Sequence, residues 1–230
     1  MGKRVWMSGL AMVASAILAG TLAAVPASAG SADAAGWRPP FRAKIERISP
    51  ELAEEMIGVS WHPGCPVPIE DLRLITMNHH GFDGRSHDGE LVVHKDVAKN
   101  VVKVFRKLYY HKFPIRRMER IEHYGGSDDA SMEADNTSAF NCREITGGGG
   151  FSVHSYGKAI DINTIENPYV KGDLVLPEAG REYLDREDVH PGMIVDGDIV
   201  VRSFAKAGFI WGGHWTSPID YQHFEVPVDD

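Results

Sequence analysis

The chain has 230 residues, with 24 Lys and Arg against 32 Asp and Glu, a formal net charge of −8. So acidic a chain is a poor general binder of phosphate backbones, which sets nucleic acid aside as a partner. Its two cysteines form no C-x-x-C, which excludes a Cys-rich zinc module and a thioredoxin-like redox motif.

Lys3 and Arg4 open the chain, an apolar run follows from Val5 to Pro26, and Ala27-Ser28-Ala29 closes it. A basic start, an apolar middle and an A-x-A end describe a secretory signal peptide over 1–29, cut after Ala29. The run is nearly long enough to span a bilayer, but Ser8, Gly9, Ser15 and Gly20 dilute it. No Cys lies near the cut to carry a lipid, and no later segment reads as a membrane span. With 29 residues removed, 201 of the 230 remain, 22 basic against 32 acidic, net −10. That length suits one domain with a sizeable core. Residues 30–45 read as a flexible leader, small and polar at first with Pro39 and Pro40 inside it, and 46–230 as the folded domain.

Ser49-Pro50-Glu51 has a Ser cap and a Pro at the first helical position, which predicts a short helix to about Ile57. Residues 62–90, rich in Gly, Pro, Asp and His, read as mostly loop, His79 and His80 included, with a short strand near Leu72–Met77. From Asp96 to Tyr110, Val97, Val101, Val104, Phe105 and Leu108 recur at helical spacing, the clearest amphipathic helix in the chain. Ile115–Ile121 reads as a strand, and 125–150 as a loop in which Asp128 and Asp129 could cap a short helix or meet a substrate amine. Ala159–Asn163 alternates with period 2, so Ile160 and Ile162 face inward and Asp161 faces the other way. A helix capped by Asp198 and stopped by Gly208, and a closing strand from Tyr221 to Val226, complete the chain.

In an exported chain, Cys65 and Cys142 are expected to be bridged. Nothing around either one would depress a thiol pKa, so a reactive thiol is the weaker reading.

Two clusters carry the chemistry. His154-Ser155-Tyr156-Gly157-Lys158-Ala159-Ile160-Asp161 and Asp220-Tyr221-Gln222-His223-Phe224-Glu225 bring two imidazoles and carboxylates into short stretches. A catalytic zinc takes three protein ligands and leaves one position open, and His154, Asp161 and His223 form such a set. Asp220 would be the base beside the metal, although three residues along a flat strand point two side chains to opposite faces. The chain must turn there, and Pro218 is close by. Spacing alone leaves other readings open: a lone His is more often a core or surface residue, and a lone strand Asp a hydrogen-bonding partner. There is no H-E-x-x-H, G-x-S-x-G or P-loop. His214, Ser152 and Glu225 are candidates to line the site or orient ligands, and Trp211 and Trp215 to shape a groove.

Ser152 to Asp161 matches the S-x-H-x-x-G-x-A-x-D motif of the D-alanyl-D-alanine carboxypeptidase and L-alanyl-D-glutamate endopeptidase family of zinc peptidases, and Asp220 to His223 resembles its second motif, [DE]-x-x-H. Trp211-Gly212-Gly213, Phe224-Glu225, Phe113-Pro114-Ile115 and the stretch from Asn136 to Arg143 are similar to the endolysin-type branch of this VanY/VanX-like group. The likeness runs from about residue 60 to 226.

The resemblance implies one Zn2+ per chain held by His154, Asp161 and His223, with Asp220 as catalytic base. It implies that Arg143 helps hold substrate and the developing oxyanion; the alternative for Arg143 is a surface arginine in an ion pair. Asn141 and Cys142 separate Phe140 from Arg143, whereas the VanY-type pattern has the aromatic residue and the arginine adjacent. It further implies an α+β fold, a small mostly antiparallel sheet flanked by helices, of the hedgehog/D,D-peptidase-like kind. The expected function is an exported zinc metallopeptidase cutting peptidoglycan stem peptides, secreted or cell-wall associated. The alternative is a non-catalytic metal-binding protein of the cell wall, against which Asp220 argues, since a binding site needs no base. Oligomeric state is not legible.

Overall fold

The computed structural model describes residues 39–145 and 149–228. The expected signal peptide and the first part of the leader lie outside the described residues. Among the described residues no helix is long and apolar enough to cross a membrane.

The first layer is a three-stranded antiparallel sheet in the order β1-β2-β3, formed by β1 (Ala43–Arg47), β2 (Leu72–His80) and β3 (Ser86–His94). β1 pairs along its whole length with β2, so residues 43–45, expected in the leader, already belong to the sheet. The β2–β3 hairpin replaces most of the loop expected over 62–90. Its polar look misleads because His79 and His80 are buried by tertiary packing, and the His79 ring stacks on His87 at 5.7 Å. Burial, helped by His87, lowers the His79 imidazole to about 4, so it packs as a neutral ring.

Before the hairpin, Ser49 caps α1 (Pro50–Met56) by accepting from the Leu52 N–H, as its sequence predicts. α2 (Lys95–Tyr110) follows β3 directly and buries Val97, Val101, Val104, Phe105 and Leu108 against the sheet. The strand expected over Ile115–Ile121 shrinks to β4 (Arg117–Met118), paired in parallel with β5 (Asn136–Thr137). The ladder ends there because the Glu119 N–H donates to the Asn136 side chain instead of to a strand. Between them lies α3 (Asp128–Glu133), a helix inside the expected loop, capped by Ser127.

The C-terminal half adds two more small sheets. One has the order β6-β11-β9, from β6 (Ala159–Asp161), β9 (Ile210–Trp211) and β11 (His223–Glu225). The other has the order β10-β7-β8, from β7 (Tyr169–Lys171), β8 (Leu174–Leu176) and β10 (Ile219–Asp220). α4 (Ile199–Lys206), capped by Asp198 as expected, packs on α2. The Phe204 ring joins the layers: it meets Phe105 of α2 edge-on and stacks on Phe224 of β11 at 4.1 Å. Such aromatic pairs contribute about 0.5–1.5 kcal/mol each beyond area burial. The architecture is α+β, with small, mostly antiparallel sheets and a few helices.

Candidate metal centre

His154 sits in a single 3-10 turn, Val153–Tyr156, that Ser152 caps by accepting from the His154 N–H at 3.3 Å. Gly157 ends the turn at φ +63°, and its carbonyl accepts from the His94 N–H at 2.8 Å. A Cβ at Gly157 would come within 2.6 Å of that nitrogen. Glycine is therefore required both for the backbone angle and for the close approach of the turn to the end of β3.

Asp161 ends β6 and His223 begins β11, and the two are direct partners in the antiparallel ladder. Period-2 alternation then sorts the side chains. Ile160 and Phe224 go to the core, whereas Asp161, His223 and Glu225 go to the opposite face. The expected facing of Ile160, Asp161 and Ile162 is the one observed.

Asp220 lies on β10, in a different sheet from His223. The chain bends at Tyr221 and Gln222 as it passes from one sheet to the other. This bend, just after Asp220, overcomes the three-residue spacing and brings both side chains to one cavity of about 600 Å³. Gly212 lies against Asp220, and a Cβ there would meet the Asp220 carbonyl at 2.7 Å.

Three donor residues converge in that cavity. His154 Nε2 lies 3.1 Å from Asp161 Oδ2 and 3.2 Å from His223 Nδ1, and His223 Nδ1 lies 2.9 Å from Asp161 Oδ1. Donors sharing one tetrahedral zinc at Zn–N distances of 2.0–2.1 Å would stand about 3.3 Å apart, so these three fit a single ion. The remaining ring nitrogens are engaged. His154 Nδ1–H donates to the Ala139 carbonyl at 2.5 Å, and His223 Nε2–H donates to Glu225 at 2.9 Å. Those bonds fix the tautomers that leave His154 Nε2 and His223 Nδ1 as lone-pair donors. His154 and His223 are 4% and 7% exposed.

The charges reinforce one another. Burial alone would raise the Asp161 carboxyl, but the imidazoles of His154 and His223 hold it well below the usual carboxylate range. With no metal bound, burial opposes a charged His223, yet the hydrogen bonds to Asp161 and Glu225 raise it to about 10, so the Nδ1 proton must leave before that nitrogen can serve as a metal donor. Burial pushes Asp220 up to about 7, with Asp161 adding to the rise while His223, His154 and Arg143 oppose it. Among the described residues Asp220 Oδ1 is buried without a hydrogen-bond partner, a state suited to accepting a proton near neutral pH.

Arg143 lines the same cavity, paired with Asp128 of α3, and burial lowers its pKa against the pull of Asp161 and Asp220. His214 does not line it. It is exposed and pairs with Asp196 at 2.8 Å. Trp215 borders the cavity 5.4 Å from the His223 ring, while Trp211 is buried and stacks on Phe224. Tyr169 and Lys171, on one face of β7, also line it. Neither stands out in the sequence, because the β7–β10 pairing that sets Tyr169 opposite Asp220 is non-local.

A second group of donors, His62, Cys65 and Cys142, comes together elsewhere, but its two sulfurs form the expected disulfide. A further cavity of about 610 Å³, lined by Arg42, Lys44, Asp88 and Glu90, contains none of the motif residues.

Residues 146–226 match the family model described as D-alanyl-D-alanine carboxypeptidase. The resemblance drawn from the two motifs is thus borne out over the stretch that holds His154, Asp161, Asp220 and His223, while Arg143 lies just before it. No curated protein and no solved structure matches the chain.

Proposed function

We propose, for a chain whose residues 146–226 carry the signature of the D-alanyl-D-alanine carboxypeptidase family of peptidases, that it is an exported zinc peptidase hydrolysing peptide bonds in peptidoglycan stem peptides. The observation that carries this reading is the convergence of three metal donors with a fourth, unpartnered carboxylate oxygen on Asp220 in one cavity. One Zn2+ per chain would be held by His154, Asp161 and His223. Bound there, zinc supplies the Lewis acidity that polarises a scissile carbonyl.

The chain's own groups do the rest. Asp220 takes a proton from the attacking water at Oδ1 and returns it to the departing amine. The Arg143 guanidinium faces the same space and offsets negative charge growing on the carbonyl oxygen. Trp215, Tyr169 and the β7–β8 hairpin wall the cavity and hold substrate against the donors. Asp220 separates this reading from that of a non-catalytic metal-binding wall protein. A fold of the hedgehog/D,D-peptidase kind, a catalytic domain over 46–230, a signal peptide over 1–29 and a destination outside the cell or at its wall belong to the same proposal.

Within the class, Lys171 favours the carboxypeptidase form. Of the lysine and arginine residues lining the cavity, Arg143 is tied to Asp128, and Lys171 is exposed and makes no ion pair among the described residues, so it is available for a substrate's free carboxylate. The test is to quantify bound zinc in the purified chain and follow stem-peptide hydrolysis by mass spectrometry. One zinc per chain with chelator-sensitive cleavage is expected, and the product masses name the bond. No zinc after reconstitution would overturn the proposal.

A further inference from the structure

Arg143 follows two residues, Asn141 and Cys142, that set it apart from Phe140, and all three positions are tied down. Asn141 donates from its side chain to Asp128 Oδ1 at 2.7 Å and to the Gly126 carbonyl at 3.2 Å. Cys142 is bonded to Cys65, and its N–H donates to the Ser60 carbonyl at 2.8 Å. The Arg143 backbone is stitched to the turn that carries His154: its N–H donates to Ser155 Oγ at 2.9 Å, and its carbonyl accepts from that hydroxyl at 2.8 Å.

The backbone ties do not by themselves fix the long side chain, whose Nη1 also donates to the Glu144 carbonyl at 3.2 Å, and two buried carboxylates, Asp161 and Asp220, attract it. An unrestrained guanidinium would seat on one of them and compete with the metal or block the base. Asp128 prevents this. It pairs with Arg143 through Oδ2, while Oδ1 holds Asn141, and both Asp128 and Arg143 line the cavity. Ser127 caps α3 by accepting from the Ala130 N–H at 3.2 Å, which fixes the start of the helix on which Asp128 lies.

We infer that Asp128 is the positioning residue for Arg143: it holds the guanidinium on the cavity wall, facing Asp161 and Asp220 without contacting either. The inference rests on the peptidase reading for its kinetic consequences but not for its geometry.

The test uses the full chain reconstituted with zinc and a stem-peptide substrate, in a double-mutant cycle of Asp128→Ala and Arg143→Ala. Removing a charge-stabilising donor typically costs about 10²–10³ in kcat. Misplacing it by Asp128→Ala is expected to lower kcat at least about tenfold, with KM changed far less. Asp128→Asn, which still accepts from Asn141, should fall between. In the Arg143→Ala background, Asp128→Ala should add nothing, because the two act as a unit. Parent-like kcat in Asp128→Ala, or the same loss in both backgrounds, would overturn the inference.

A second readout needs no turnover. The Arg143 side-chain N–H signal in NMR should exchange slowly with solvent in the parent and in Asp128→Asn less slowly, and fast in Asp128→Ala. Fast exchange in the parent would overturn the inference. A parent that cleaves no stem peptide yet protects that N–H would refute the peptidase reading and leave the positioning role standing.

Discussion

Asp161 and His223 are cross-strand partners in the β6–β11 ladder, and the Asp161 carboxylate meets His223 Nδ1 at 2.9 Å. Two of the three candidate metal donors thus come from a single register pair, 62 residues apart in sequence, backed by Ile160 and Phe224 in the core. A one-residue slip of β11 would send His223 into the core and Phe224 into the cavity. The Phe224–Phe204 stack opposes that slip, so the packing that stabilises the fold also holds the donors in place.

Replacing a donor and replacing the base should therefore separate cleanly. His154→Ala removes one of the three proposed ligands and should lose both zinc and activity. Asp220→Ala leaves the donor set intact and should keep zinc while kcat falls about 10²–10⁴-fold. Zinc content by mass spectrometry beside single-substrate kinetics checks both. An Asp220→Ala chain that hydrolyses at the parent rate removes Asp220 from the mechanism.

Glu225 touches no donor atom of the set but holds His223 Nε2–H at 2.9 Å. Loss of such a partner typically weakens metal binding about 10–100-fold. Glu225→Ala should show that loss in competition with a chelator, and Glu225→Gln, whose amide oxygen still accepts, a smaller one. Equal zinc affinity in all three chains would mean that Asp161 and packing against Trp215 orient the ring without Glu225.

The site was more legible in the sequence than the fold around it, and the reason is locality. His154, Gly157 and Asp161 lie within one turn and strand, so motif and period-2 alternation place them. The ion pair of Arg143 with Asp128, and the approach of Lys171, depend on which strands pair, which no local pattern encodes. The β2–β3 hairpin was missed for a different reason. His79, His80 and Asn78 are polar residues that tertiary packing buries, whereas composition reads them as loop. α3, in contrast, carried its signal in Ser127 followed by two aspartates, a cap and an acidic first turn.

Stability should carry a pH signature from a group outside the site. Burial, with Asp135 beside it, raises the Glu166 carboxyl from 4.5 to about 8, against the pull of Arg116. The folded chain then holds a proton that the unfolded chain releases near 4.5, so this stabilisation is complete below that value and is lost as pH rises towards 8. Glu166→Gln mimics the protonated form. Its melting temperature should exceed the parent's at pH 8–9 and match it near pH 4.5, with each kcal/mol moving it by roughly 2–4 °C. A gain of equal size at both pH values would show that the carboxyl does not titrate there.

The Cys65–Cys142 bond closes a loop with a sequence separation of 77. Chain entropy gives such a closure roughly 4 kcal/mol. Cys65→Ser with Cys142→Ser should lower the melting temperature by about 8–16 °C, at 2–4 °C per kcal/mol. Because Cys142 precedes Arg143, kcat should fall too at temperatures where the variant is folded. Zinc content, set by residues 154–223, should stay at the parent value.

Lys171 bears on which peptide bond is cut. It stands on the same face of β7 as Tyr169, and the β7–β10 pairing holds that strand beside Asp220. A carboxypeptidase holds the terminal carboxylate one residue beyond the scissile bond, and the charge–charge contact made in both ground and transition states shows mainly in KM. Lys171→Ala should raise KM about tenfold for peptides ending in a free carboxylate, with kcat little changed, and should have no effect on the same peptides amidated at the C-terminus. If the parent cleaves amidated and free peptides alike and Lys171→Ala alters neither, the lysine recognises no terminus. The cavity is then that of an endopeptidase, in which chain continues past the scissile bond on both sides.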